Sequence, residues 1–137
     1  MQTSTETRKP NFFLVRHGES ITNISKELHN HISDPAVWLT EKGHQQAHLA
    51  GEHLADYFRA LPEDARPQKL RIMRSNYTRA IQTADNIGRA IRSAGLGIDI
   101  EARDVGRLRE LEFGYTGQPT AQTPHVKWLS DLLRHDG

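Results

Sequence analysis

The chain contains no cysteine, so neither a disulfide framework nor a thiolate metal centre can be built from it. Aromatic residues are sparse, at 7 % of the chain. No apolar run approaches the roughly 20 residues that a membrane-spanning helix needs. An excess of one sign of charge is also lacking: 18 Lys and Arg stand against 17 Asp and Glu, for a formal net charge of +1. That balance gives no reason to invoke nucleic acid or a membrane surface as a general partner. The first ten residues are polar and contain no apolar segment of the kind a secretory signal requires. The expectation from these absences is a soluble, cytoplasmic protein.

What the 137 residues do contain suits one globular domain over 11–137 behind a flexible polar leader over 1–10. Phe12-Phe13-Leu14-Val15 reads as a short buried strand. It stops at Arg16-His17-Gly18-Glu19-Ser20, which sets a nucleophile and a cation where a strand turns into a loop. Ligand chemistry in open α/β sheets collects at such ends. Gly18 permits a backbone path that a Cβ would block, bringing main-chain N–H groups toward an anion. Asn23 follows as a further amide donor, and residues 20–38 form a loop that carries His29 and His31.

Thr40 is expected to cap a helix with Glu41 in its first turn and Ala47, Ala50, Leu54 and Phe58 on its buried stripe. His44 and His48 are i,i+4 neighbours on it, but no third metal ligand accompanies them, and a solvated face is the expectation. After a loop over 61–69, Leu70 to Ser75 reads as a strand. Its Arg74 points either to an anion site or to solvent. A helix then runs from Asn76 or Tyr77 to about Ser93, with Ala80, Ala84, Ile87 and Ile91 inward. Gly95 and Gly97 close it, and Ile98-Asp99-Ile100 reads as another strand. Val126, Leu129, Leu132 and Leu133 stand at helical spacing with Trp128, which predicts an amphipathic helix over 124–133.

Three segments, in order, resemble the histidine phosphatase (phosphoglycerate mutase-like) family over residues 11–120. They are Arg16-His17-Gly18-Glu19 with Asn23, Ser75 through Arg79-Ala80 to Thr83-Ala84, and Leu108-Arg109-Glu110-Leu111-Glu112-Phe113-Gly114. The resemblance implies an α/β fold, a three-layer α/β/α sandwich with a mostly parallel sheet. It implies that His17 takes the phosphoryl group, that Arg16, Asn23 and Arg79 bind the phosphoryl oxygens, and that Glu110 is the proton donor. A transferring phosphoryl spreads charge over its equatorial oxygens, and a planar guanidinium can bond two of them at once. A leaving alkoxide needs a proton, hence a carboxylic acid near the bridging oxygen. Glu112, two residues on, shares a face with Glu110 in an extended segment; the family's spacing selects Glu110. Thr116 stands where an acidic residue is common. With arginines supplying the positive charge, neither a metal nor a cofactor is implied.

The family's second active-site histidine is not evident. His135-Asp136-Gly137 imitates it, but the segment before it, Asp131 to Arg134, does not read as a buried strand. The expectation is a chain corresponding to the N-terminal two-thirds of the fold, lacking the C-terminal part, with unpaired sheet surface that invites a homodimer. Function is then a phosphomonoester hydrolase acting on a small phosphorylated metabolite. The alternatives are a phosphoglycerate mutase-type transfer and a non-catalytic phosphate-binding protein.

Overall fold

The computed structural model describes residues 12–25, 27–28 and 31–109. The leader over 1–10, His29, Glu110 with its rival Glu112, Thr116, the helix expected over 124–133 and His135 lie outside the described residues. In chain order the elements are α1 (Ile21–Ile24), α2 (Glu41–Ala60), β1 (Lys69–Arg74), α3 (Thr78–Ser93) and β2 (Asp99–Asp104). Short 3-10 turns occupy Asp34–Ala36, Glu63–Ala65 and Gly106–Leu108.

Helix α2 begins as its sequence dictates. The Thr40 hydroxyl accepts the Gly43 N–H at 3.0 Å, satisfying one of the donors that a helix start leaves open. At the other end Arg66 donates to the carbonyls of Phe58 (3.1 Å) and Arg59 (2.9 Å) and so closes the last turn. The buried face is Gly43, Ala47, Gly51, Ala55 and Phe58. The expected Ala50 and Leu54 are only partly buried. The stripe is shifted because α3 crosses close by. A Cβ on Gly51 would lie 2.7 Å from the Ala90 Cβ and 2.8 Å from the Ile87 Cα.

Strands β1 and β2 pair in parallel, from Lys69 opposite Asp99 to Arg74 opposite Asp104. A parallel pair needs a crossover, and α3 provides it. Gly95 and Gly97, at φ 67° and 69°, carry the chain out of α3 in a conformation that side chains disfavour. Among the described residues the fold is α/β, a two-stranded parallel sheet with a helical crossover. Ile72 and Ile100 lie against α3 and join Ala55, Phe58, Ile87 and Ile91 in the core.

The two sheet faces differ in chemistry, as strand alternation requires. Arg74, on the α3 side, bonds Asp104 at 2.7 Å and Asp85 of α3 at 2.8 Å. It points neither to an anion site nor to open solvent; it ties three elements together. The hydrogen bond to Asp104, then that to Asp85, raises its pKa against the opposing effect of burial. On the other face Glu101 meets Lys69 (3.0 Å), Arg71 (3.5 Å) and Arg103 (2.9 Å).

Phe12 to Val15 does not form the buried strand expected of it. Among the described residues it pairs with no strand, and every second side chain is bare. Phe13 packs edge-on against Tyr57 and Phe58 of α2, with centroids 5.4 and 5.8 Å apart. Phe12 is 88 % exposed and Leu14 is fully exposed. A strand apolar on both faces needs a layer on each. Among the described residues α2 covers one side only. Among the described residues no helix is long and apolar enough to cross a membrane.

Two outcomes follow from this packing. Gly51→Ala gains helix propensity worth about 1 kcal/mol. It also forces a methyl onto the Ile87 backbone, which cannot rotate away, so a net loss of about 1–2 kcal/mol is expected in urea unfolding. Glu101 is held down from 4.5 to about 2, first by the Lys69 hydrogen bond and then by that of Arg103. A lowered carboxyl pKa stabilises the fold above the unfolded value and ceases to do so as pH falls through the folded one. The stability gap between the native chain and Glu101→Gln should therefore be full above pH 4.5 and close as pH falls toward 2, read by unfolding at a series of pH values.

Candidate active site

The loop after Val15 is shaped by contact with the start of α2. A side chain on residue 18 would overlap the Gly43 carbonyl oxygen, and one on residue 43 would overlap the Glu19 carbonyl oxygen. Two glycines thus let two stretches of backbone touch. Glu19 accepts the Thr40 N–H at 2.9 Å through its carbonyl and the Thr40 hydroxyl at 2.9 Å through its carboxylate. Ser20 bridges to Leu39, and Ile21 donates to the Trp38 carbonyl at 3.1 Å. The loop is pinned along its length.

That pinning corrects one sequence expectation. The main-chain N–H groups after His17 do not converge on an open anion site. Gly18 donates to the Thr83 hydroxyl at 3.2 Å, Glu19 to the Gln46 side chain at 2.9 Å, and Ser20 to the Asn23 side-chain oxygen at 2.8 Å. Backbone donors inside a packed turn must find partners, and here side chains from α1, α2 and α3 supply them. Gly18 is small because Gly43 lies against it; its φ is not positive.

His17 is half-buried, and its Nδ1 lies 2.7 Å from the Gly18 carbonyl oxygen. A carbonyl can only accept, so Nδ1 carries a proton, and in the neutral imidazole Nε2 is then the nitrogen with the lone pair. That is the tautomer a nucleophilic imidazole needs. Arg16 beside it is exposed. The Asn23 oxygen also accepts the Ser20 hydroxyl, at 2.9 Å. With that oxygen committed to the turn, the NH2 group is the end that a ligand could meet.

Arg79 enters from the second position of α3, 5 % exposed. Its Nη1 donates to the Asp34 carbonyl at 2.8 Å and to the Asp34 carboxylate at 3.0 Å. Its guanidinium carbon stands 5.2 Å from the centre of the Tyr77 ring, in cation–π range. The guanidinium thus already meets an anionic oxygen from this same chain. Thr83, one turn on, donates to the Arg79 carbonyl at 2.8 Å while accepting the Gly18 N–H. Through it the loop of His17 and the first turn of α3 are joined.

Glu110, the expected proton donor, lies outside the described residues. His31 is exposed. His44 Nδ1 lies 2.9 Å from the Asn86 amide, and His48 pairs with Glu52 at 3.2 Å. Among the described residues no group of three His, Cys, Asp or Glu side chains is arranged to hold a metal ion. Sequence reading missed two residues of the site. Thr83 could have been noticed as the i+4 neighbour of Arg79 on one helix face. Asp34, in a loop, carried no signal at all.

The Asp34 contact can be weighed. A hydrogen bond to a charged group contributes about 1.5–3 kcal/mol, and Arg79 is too deeply set to recover it from water. Asp34→Ala should lower stability by about that amount, whereas Asp56→Ala, at an exposed helical ion pair with Arg59, should cost well under 1 kcal/mol. Thermal unfolding of the two variants side by side makes the comparison.

No curated protein matches the chain. The family model described as the histidine phosphatase superfamily (branch 1) matches residues 12–136. The match spans the His17 loop, the start of α3 and both strands, in the order that the fold presents them. With nearly the whole sequence covered, the chain belongs to the histidine phosphatase superfamily.

Proposed function

We propose that the protein is a phosphomonoester hydrolase that works through a phosphohistidine at His17 on a small phosphorylated metabolite. Its superfamily comprises phosphatases and mutases, so phosphoryl transfer is the shared chemistry. The observation that supports the proposal most is the Nδ1 contact of His17 with the Gly18 carbonyl, which leaves the Nε2 lone pair for attack.

In the proposed first step Nε2 of His17 attacks phosphorus in line, and the bond from phosphorus to the ester oxygen breaks. Glu110 gives its proton to the departing oxygen. Arg16, Arg79 and the Asn23 amide stabilise the charge on the equatorial oxygens. In the second step water attacks the phosphohistidine, passing a proton to the Glu110 carboxylate, and phosphate leaves with His17 restored. For Arg79 to bond a phosphoryl group with Nη1, the Asp34 carboxylate must yield or share that nitrogen.

This last requirement favours a second reading. A guanidinium held by its own chain suits a protein that binds phosphate without turning a substrate over. Release of phosphate from p-nitrophenyl phosphate separates the two. The hydrolase predicts EDTA-resistant turnover that falls to the uncatalysed background in His17→Ala. A binding protein instead predicts that inorganic phosphate or vanadate raises the melting temperature while turnover stays at background. Turnover that appears only with a bisphosphoglycerate primer would assign a mutase.

A further inference from the structure

We infer that the Thr83 hydroxyl is a positioning group, one that sets the His17 imidazole relative to Arg79. The inference rests on the phosphohistidine reading above and adds to it a residue that does not touch the substrate.

A threonine inside a helix commonly bonds the carbonyl four residues back, and the 2.8 Å bond from Thr83 to the Arg79 carbonyl is of that kind. The bond has a consequence here. It uses the only proton of the hydroxyl, so what Thr83 offers elsewhere is its lone pairs. They meet the N–H of Gly18 at 3.2 Å, across 65 residues of sequence, in a place where Thr83 is 5 % exposed. The polarity of the chain of bonds is thereby fixed. The proton of Thr83 points to Arg79, the proton of Gly18 points to Thr83, and the carbonyl of Gly18 accepts Nδ1–H of His17.

Residue 18 has little freedom to respond in any other way. Gly43 fills the side on which a Cβ would stand. With its N–H on Thr83 and its flank on Gly43, the Gly18 carbonyl is held where Nδ1 of His17 finds it. Without the hydroxyl, a buried N–H loses its acceptor, and a glycine has more backbone conformations open to it than any other residue. The plane that carries the Gly18 carbonyl keeps its bond from the Glu19 N–H to Gln46, but the peptide plane between His17 and Gly18 loses its anchor, so the imidazole is free to shift relative to the carbonyl that selects its tautomer. The same hydroxyl ends on the backbone of Arg79, so one oxygen keeps both the nucleophile and the guanidinium in register.

The test compares Thr83→Val, which keeps the shape and removes the hydroxyl, with Thr83→Ser, which keeps the hydroxyl and removes the methyl. Two readouts are taken on the whole chain: steady-state hydrolysis of p-nitrophenyl phosphate, and the tautomer of His17 by long-range 1H–15N spectra. Thr83→Val should lower kcat by about 10²-fold, the scale of a misplacement near 1 Å, with KM little changed. Its His17 should lose the pure Nδ1–H form. Thr83→Ser should remain close to the native chain in both readouts.

If Thr83→Val does not fold, Thr83→Ala against Thr83→Ser makes the same comparison, since helices tolerate alanine well. A hydroxyl-free variant with native kcat and native tautomer overturns the inference. So does a serine variant as impaired as the alanine one, because the methyl would then be what matters. The spectra need no turnover. An inactive native chain whose His17 tautomer still depends on the hydroxyl would sink the phosphohistidine reading and leave the positional link standing.

Discussion

Everything around His17 depends on a contact between two backbones. The carbonyl oxygen of Gly43 occupies the volume that a side chain on residue 18 would need, and the relation is mutual between Gly43 and Glu19. Close approach of this kind occupies the main-chain donors of the loop, and each is answered locally. The answers come from Thr83, Gln46 and Asn23, one from each of three helices. Leaving the buried Gly18 N–H open would cost about 1–3 kcal/mol, and the three bonds together make the loop a rigid part rather than a tether. Catalytic geometry in this family of chemistries asks for such rigidity, because phosphoryl transfer is carried mainly by position and charge.

The platform beneath the loop is the α2–α3 pair. Gly51 and Ala55 let α3 approach closely enough for Ile87 and Ile91 to meet Phe58 in one apolar cluster, with Ile72 and Ile100 of the strands beside it. That approach decides where the N-terminal turn of α3 stands, and with it Arg79 and Thr83. A larger residue at position 51 would push apart the loop on one helix and the arginine on the other. Core packing and site geometry are here the same constraint.

Charges are distributed with a consistent logic. Arg74 and Arg79 both emerge near the junction of β1 and α3, yet they do different work. Arg74 is used up by Asp104 and Asp85 and fastens the β1-α3-β2 unit. Arg79 is sunk among Tyr77, Asp34 and the loop, with its charge set beside the site. Glu101 gathers Lys69, Arg71 and Arg103 on the opposite face of the sheet, away from the helices. The two strands carry seven charged residues between them and tolerate them because most of the ion pairs form across the ladder, where opposite charges lie within reach.

Local patterns carried much of the fold and the family. The Thr40 cap, the helical spacing from Glu41 to Ala60 and from Thr78 to Ser93, and the closing glycines at 95 and 97 are read from neighbours a few residues apart, and each is present as expected. His17, Arg16, Asn23 and Arg79 are likewise marked by short motifs. Tertiary structure alone decided what these residues touch. Thr83 reaches Gly18 across 65 residues and Arg79 reaches Asp34 across 45, distances over which no periodicity operates. It also decided that Gly51 rather than Ala50 lies on the buried line of α2, and that Phe12 and Leu14 stand bare despite their apolar side chains. Hydrophobicity states that a residue gains by burial; only the arrangement of the other elements determines whether something is there to bury it.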